Sequence, residues 1–174
     1  MVNALYQITA EYNPVEDRVL FRVNTREKME YKIWLTRRLV KQIWRAAVKN
    51  FATEPDVKEQ VLPQVKKTVL SMKHQKALQS TDFTKKHKNA VKAAPEMEKP
   101  LLATNAELVS TKQGLVRLSF HTVGGRSINL NLNHEMLHAV CHIFQQAADK
   151  AAWDLKLAIG NPTAVVMPPA GHLH

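Results

Sequence analysis

Residues 30–44 read EYKIWLTRRLVKQIW, and their hydrophobic period changes once, at Thr36. Before it, Tyr31, Ile33 and Leu35 alternate with Lys32 and Trp34, the period-two pattern of a half-buried strand. After it, Leu39, Val40, Ile43, Trp44, Ala47, Val48 and Phe51 recur at helical spacing. Thr36 stands where its hydroxyl can accept from the exposed amides of the first helical turn. The stretch predicts a strand that runs directly into a helix.

Working outward, DRVLFRVNT (17–25) alternates as well, with Val19, Phe21 and Val23 on one face and Leu20, Arg22 and Asn24 on the other. LYQITAEYN (5–13) reads as an earlier strand that turns at NPVED, where Asn-Pro marks a loop. The last third has the same organisation. GLVRLSFHT (114–122) and SINLNLN (127–133) are alternating segments joined by VGGR, whose glycines suit a tight hairpin. Asn133 stands as a cap, and Met136, Leu137, Val140, Ile143, Phe144, Ala147, Ala148 and Ala151 form an apolar helical stripe.

The two segments superpose at a constant offset of 97 residues. Val19 falls on Val116, Phe21 on Leu118, Ile33 on Leu130, Thr36 on Asn133 and Ile43 on Val140. The expected fold class is therefore α+β, with two βββα repeats packed as one pseudo-symmetric domain and a helical insertion between them. A unit of about 45 residues buries its own sheet face and helix stripe poorly, so two units are expected to cover each other. A homodimer using the same surfaces is the alternative way to cover them. The expected divisions are a first repeat over 1–52, a basic helical or loop connector over 53–100, a second repeat over 101–159 and a flexible tail over 160–174. Within the connector, Val57, Val61, Val65, Val69 and Met72 are expected to form an apolar stripe opposite the lysines. Pro63 is expected to start or kink that helix.

The chain of 174 residues has a net charge of +10 and a single cysteine, Cys141, which excludes an internal disulfide. Cys141 aligns with Trp44 and reads as a packing residue. The charge is uneven. Residues 1–52 carry ten Lys/Arg against five Asp/Glu, residues 53–100 ten against six, and residues 101–174 five against four. A field of this sign favours nucleic acid or an acidic protein as partner. No signal-peptide pattern opens the chain, and no apolar run approaches the ~20 residues of a membrane helix, so a cytoplasmic, membrane-free location is expected.

NHEMLHAVCH (133–142) contains His134-Glu135-x-x-His138, the zinc-peptidase signature, in which two histidines one turn apart hold a metal and the glutamate activates water. The sequence offers no clear third ligand. At the offset of 97, His134, His138 and His142 fall on Arg37, Lys41 and Arg45. The three histidines are therefore expected to be the solvated polar edge of a helix, with no catalysis and no cofactor. His134 and His138 are candidates only for adventitious metal binding. No phosphate-binding loop, G-x-S-x-G elbow or paired carboxylates appear, so no enzyme is expected.

The basic half points to a nucleic-acid-binding protein of weak sequence specificity, with a single-strand preference. Arg22, Lys32 and Trp34 share one sheet face, where bases stack on the indole and cations hold phosphates. Arg37, Arg38, Lys41 and Arg45 line the outer side of the first helix as phosphate contacts. Lys66, Lys67, Lys85, Lys86 and Lys88 extend the track. Duplicated sheet-plus-helix units resemble in architecture the Whirly and Pur-alpha single-strand binders, although those have four strands per repeat where three are legible here. The alternative is a protein-binding adaptor or assembly subunit, using the basic face together with the connector or tail.

Overall fold

The computed structural model describes residues 5–81, the backbone of 92–93, and residues 98–160. The chain is α+β, as the alternating and helical periods require. Strands β1 (Leu5–Asn13), β2 (Arg18–Thr25) and β3 (Met29–Leu35) lead into helix α1 (Arg37–Phe51). Helices α2 (Pro55–Lys58) and α3 (Pro63–Ser80) follow, then a two-residue strand β4 (Lys92–Ala93). Strands β5 (Leu101–Ser110), β6 (Val116–Thr122) and β7 (Ser127–Leu132) lead into α4 (His134–Lys150). Among the described residues, no helix is long and apolar enough to cross a membrane. The expected tail over 160–174 and the connector's loop lie largely outside the described residues.

One mixed sheet runs β1-β2-β3-β5-β6-β7, with β4 paired beside the start of β3. Both three-stranded sections are antiparallel, and β3 and β5 join in parallel through only Ile33↔Leu101 and Trp34↔Leu102. Registers match along the chain. Val19 faces Leu35 and Phe21 faces Ile33, as Val116 faces Leu132 and Leu118 faces Leu130. The first strand of each section carries a register shift near its start, between Leu5 and Gln7 in β1 and between Ala103 and Asn105 in β5.

The inner faces of the two sections meet. Phe21 on β2 lies 5.5 Å from Phe120 on β6 and 5.2 Å from Phe144 on α4, ring centre to ring centre. Strands β2 and β6 are three strand spacings apart in the sheet order, about 14 Å if flat. Rings so far apart touch only if the sheet bends between them.

The helix that ends each section then packs across onto the first strand of the other section. Helix α4 lies on β1, and α1 lies on β5. From α1, Arg38 Nη2 donates to Thr104 O (3.1 Å), Gln42 Nε2 to Ala106 O (2.8 Å) and Asn50 Nδ2 to Ser110 Oγ (2.7 Å). The caps are Thr36, whose Oγ1 accepts from Leu39 N–H (3.4 Å), and Asn133, whose Oδ1 accepts from Met136 N–H (2.7 Å).

The connector differs in part from expectation. Val57 is buried and Val69 packs against the core, but Val61 is 89% exposed and Met72 59%, while Leu70, Ser71 and Ala77 are buried. Pro63 opens a new helix, so the valines upstream and downstream of it do not share one continuous face. The side of α3 that meets α4 is set by Leu70, His74 and Ala77, spaced i, i+4, i+7. Beyond α4, residues 151–160 form a strap. Trp153, Leu157 and Ile159 are buried, while the alternating Ala152, Asp154 and Lys156 are exposed at φ near +50°. Trp153 Nε1 donates to Asp17 Oδ1 (3.0 Å), which also accepts from Tyr12 Oη (2.9 Å). These two hydrogen bonds hold the Asp17 carboxyl below its usual range.

Candidate nucleic-acid interface and an adjoining histidine cluster

Helix α1 presents its uncovered side to solvent because Leu39, Val40, Ile43, Trp44, Ala47 and Phe51 take the other side into the core. Arg37, Arg38, Lys41, Arg45 and Lys49 are all exposed. Arg38, Lys41, Arg45 and Lys49, with Gln42 and Ala46, line a groove of about 460 Å³. From Arg38 to Lys49 the track is about 16 Å long at 1.5 Å per residue. Among the described residues, no carboxylate forms an ion pair with Lys41, Arg45 or Lys49.

The sheet-face trio is arranged differently. Arg22 faces Lys32 and Leu20 faces Trp34 across β2 and β3, so the three do share the outer face. Both cations have acidic neighbours, however: Arg22 Nη1 lies 3.6 Å from Glu11 Oε2, and Lys32 Nζ lies 3.0 Å from the buried Glu30. Trp34 is half-buried. Lys66 and Lys67 are exposed near the start of α3, the helix that packs on α4. Lys85, Lys86 and Lys88 lie outside the described residues.

His138 is not on a solvated edge, which corrects the sequence reading, while His134 and His142 are half-buried. His138 is 2% exposed. Its ring stacks on Phe51 of α1 at 3.8 Å and 5°, and its Nδ1 lies 3.1 Å from His74 Nδ1 on α3. One of these two nitrogens donates and the other accepts, as the tautomers decide. The cause is α3. It covers the polar stripe of α4, while the matching stripe of α1 stays open. Strong cations occupy the wet stripe and histidines the covered one, since imidazole discards its charge far more cheaply than guanidinium.

Glu54, in the bend between α1 and α2, closes the cluster. It is 3% exposed. Its Oε1 lies 3.1 Å from His134 Nδ1 and 3.8 Å from His138 Nε2, and its Oε2 lies 2.7 Å from Lys73 Nζ. Lys73 also reaches Asp56 Oδ2 at 2.8 Å. Burial, reinforced by His74, His134 and Lys73, pushes the His138 ring down to about 3. Burial and the neighbouring His142 push His74 down to about 4. Burial also lowers His142. For Lys73, burial acts to lower its value, but hydrogen bonds to Asp56 and Glu54 more than offset it and raise it. Glu135 belongs elsewhere, on the groove between α4 and β1. Cys141 is fully buried, and its thiol is raised by that burial.

Sequence reasoning missed Glu54, Lys73 and His74. For His74 a signal exists, the Leu70–His74–Ala77 spacing. Glu54 meets a histidine 80 positions away, and no local pattern announces that. The chain matches no protein-family model, no curated protein and no solved structure.

Proposed function

We propose that this chain is a non-enzymatic, cytoplasmic nucleic-acid-binding protein of weak sequence specificity that grips phosphates along α1. The observation that carries the reading is the row Arg38, Lys41, Arg45 and Lys49 on one open helix face, with no ion-pairing carboxylate on its last three members among the described residues. Cations held clear of internal acids release counterions from a polyanion on contact, which is the main source of sequence-independent affinity. Arg22 and Lys32 contribute less, because Glu11 and Glu30 already balance them. Trp34 is half-buried, so it offers less than a fully open stacking platform.

We further propose that the chain is two copies of one βββα unit. The shared element order, the equal registers and the matching bulges of β1 and β5 support this. The copies then diverged in what covers their helices: α3 over α4, solvent over α1. A protein-binding adaptor is the second reading, supported by the exposed Val61 and Leu62 at the α2–α3 bend (89% and 63%).

Fluorescence anisotropy with a labelled single-stranded oligonucleotide tests the first reading. Lys41→Glu/Arg45→Glu is expected to weaken binding by about tenfold or more at 0.1 M salt, through lost contacts and added repulsion. Lys66→Glu/Lys67→Glu changes the net charge by the same amount on a different helix and is expected to weaken it less. Equal losses would mean that net charge alone is being read, and no loss in either would favour the adaptor.

A further inference from the structure

The His/Glu cluster contains three donor atoms whose arrangement hydrogen bonding does not explain. Glu54 Oε1, His134 Nδ1 and His138 Nε2 are buried, and none makes a well-formed hydrogen bond among the described residues. Yet they converge, with the carboxylate oxygen 3.1 Å from one ring nitrogen and 3.8 Å from the other. Glu54 and His138 are themselves 3% and 2% exposed. Leaving such atoms unsatisfied in the interior is costly, about 1–3 kcal/mol each.

We infer that Glu54, His134 and His138 form a binding site for a divalent transition-metal ion of the zinc class. Two imidazoles and a carboxylate are a donor set that zinc accepts. At bond lengths of about 2.0–2.1 Å, tetrahedral ligands stand about 3.3 Å apart, and the two measured separations fall on either side of that value. As the side chains stand, no three donors among the described residues already enclose a metal-sized point. Closure requires a rotation of the His134 side chain, which is 37% exposed.

Supporting groups are in place around two of the donors. Lys73 holds the other oxygen of Glu54 at 2.7 Å. His74 Nδ1, 3.1 Å from His138 Nδ1, accepts the proton that a metal-bound His138 carries on its far nitrogen. Outer partners of this kind fix the tautomer and orientation of a ligating ring. The site ties the α1–α2 bend to the first turns of α4. Glu135, the water-activating residue of the peptidase signature, lines the other groove. The assignment is therefore a structural metal site that locks α1 to α4.

The test is zinc and cobalt(II) titration of untagged, chelator-stripped protein by calorimetry and by the cobalt visible spectrum, with thermal unfolding in parallel. One ion per chain and a raised Tm are expected. Glu54→Gln should weaken binding by about 100-fold and His74→Ala by about tenfold, since even outer partners are typically worth 10–100-fold. No saturable binding to the wild-type chain overturns the inference. So does wild-type affinity in Glu54→Gln, which would mean an adventitious ion held by the i, i+4 histidine pair alone. Should a variant fail to fold, zinc-edge X-ray absorption of the wild-type chain decides: two imidazoles with a carboxylate support the site, and two imidazoles with water oxygens alone, or fewer imidazoles, overturn it.

Discussion

Replacing Phe21 with alanine tests whether the two sections of the sheet share one core. Phe21 has no exposed surface and sits on β2, yet its ring meets Phe120 of β6 at 5.5 Å and Phe144 of α4 at 5.2 Å. Truncating a buried phenylalanine costs about 3–5 kcal/mol, from lost transfer energy and the cavity left behind. Each ring–ring contact is worth about 0.5–1.5 kcal/mol beyond its area. With two such contacts, both across the sections, the cost falls at the upper end, about 4–5 kcal/mol, a large share of a typical domain's stability. Urea unfolding followed by far-UV circular dichroism and by tryptophan fluorescence measures it. Trp34 and Trp44 report on the first section, and Trp153 reports on the strap after the second. Both probes should move together to lower urea in a single transition. A cost below about 2 kcal/mol, or circular-dichroism and fluorescence transitions whose midpoints separate, would refute the shared core.

Acid should destabilise the metal-free chain well above the carboxylate range. Unfolded, its histidines take up protons below about 6.5. Folded, His138 stays neutral down to about 3 and His74 to about 4. The unfolded state therefore binds more protons, so stability present above pH 6.5 is lost as pH falls. By pH 5, His138 alone accounts for about 2 kcal/mol, and a flat urea midpoint between pH 7 and 5 in chelator would contradict its burial. Gly160→Ala should release the strap, because Gly160 sits at φ +70° and an added Cβ would lie 2.6 Å from Lys67 O and 2.8 Å from Ser71 N. The expected cost is about 1–3 kcal/mol, with faster proteolysis after residue 150. An unchanged Tm and cleavage pattern would show that the strap does not depend on that approach.

Much of the fold is written in short-range periods. The switch at Thr36 and its counterpart at Asn133 mark both strand-to-helix joins, because each cap and each stripe is a local matter. Val19, Phe21 and Val23 point inward for the same reason. What lies against a helix is not local. The arginines of α1 and the histidines of α4 occupy matching positions, and the sequence reads both as wet because nothing in either stripe reveals that α3 covers one of them. The valine series from Val57 to Val69 misleads at its middle for a related reason: Val57 and Val69 pack inward, but Pro63 restarts the helix, so Val61 and Val65 fall on the open side. The strap is not among the elements expected from sequence, although WDLKLAI, residues 153–159, carries a period of two that departs from the helix before it. Of the candidate site, the α1 cations were visible from spacing. The acids beside Arg22 and Lys32 follow only from strand register.

The most direct measurement of the central proposal is the salt dependence of oligonucleotide binding. With Arg38, Lys41, Arg45 and Lys49 meeting phosphates, log affinity for a single strand should fall linearly with log salt at a slope of about −3, near 0.7 per contact. In Lys41→Glu/Arg45→Glu that slope should be smaller by about 1.4. A slope near zero in the wild-type chain, or one that the double variant leaves unchanged, would contradict the assignment of α1 as the phosphate-gripping face.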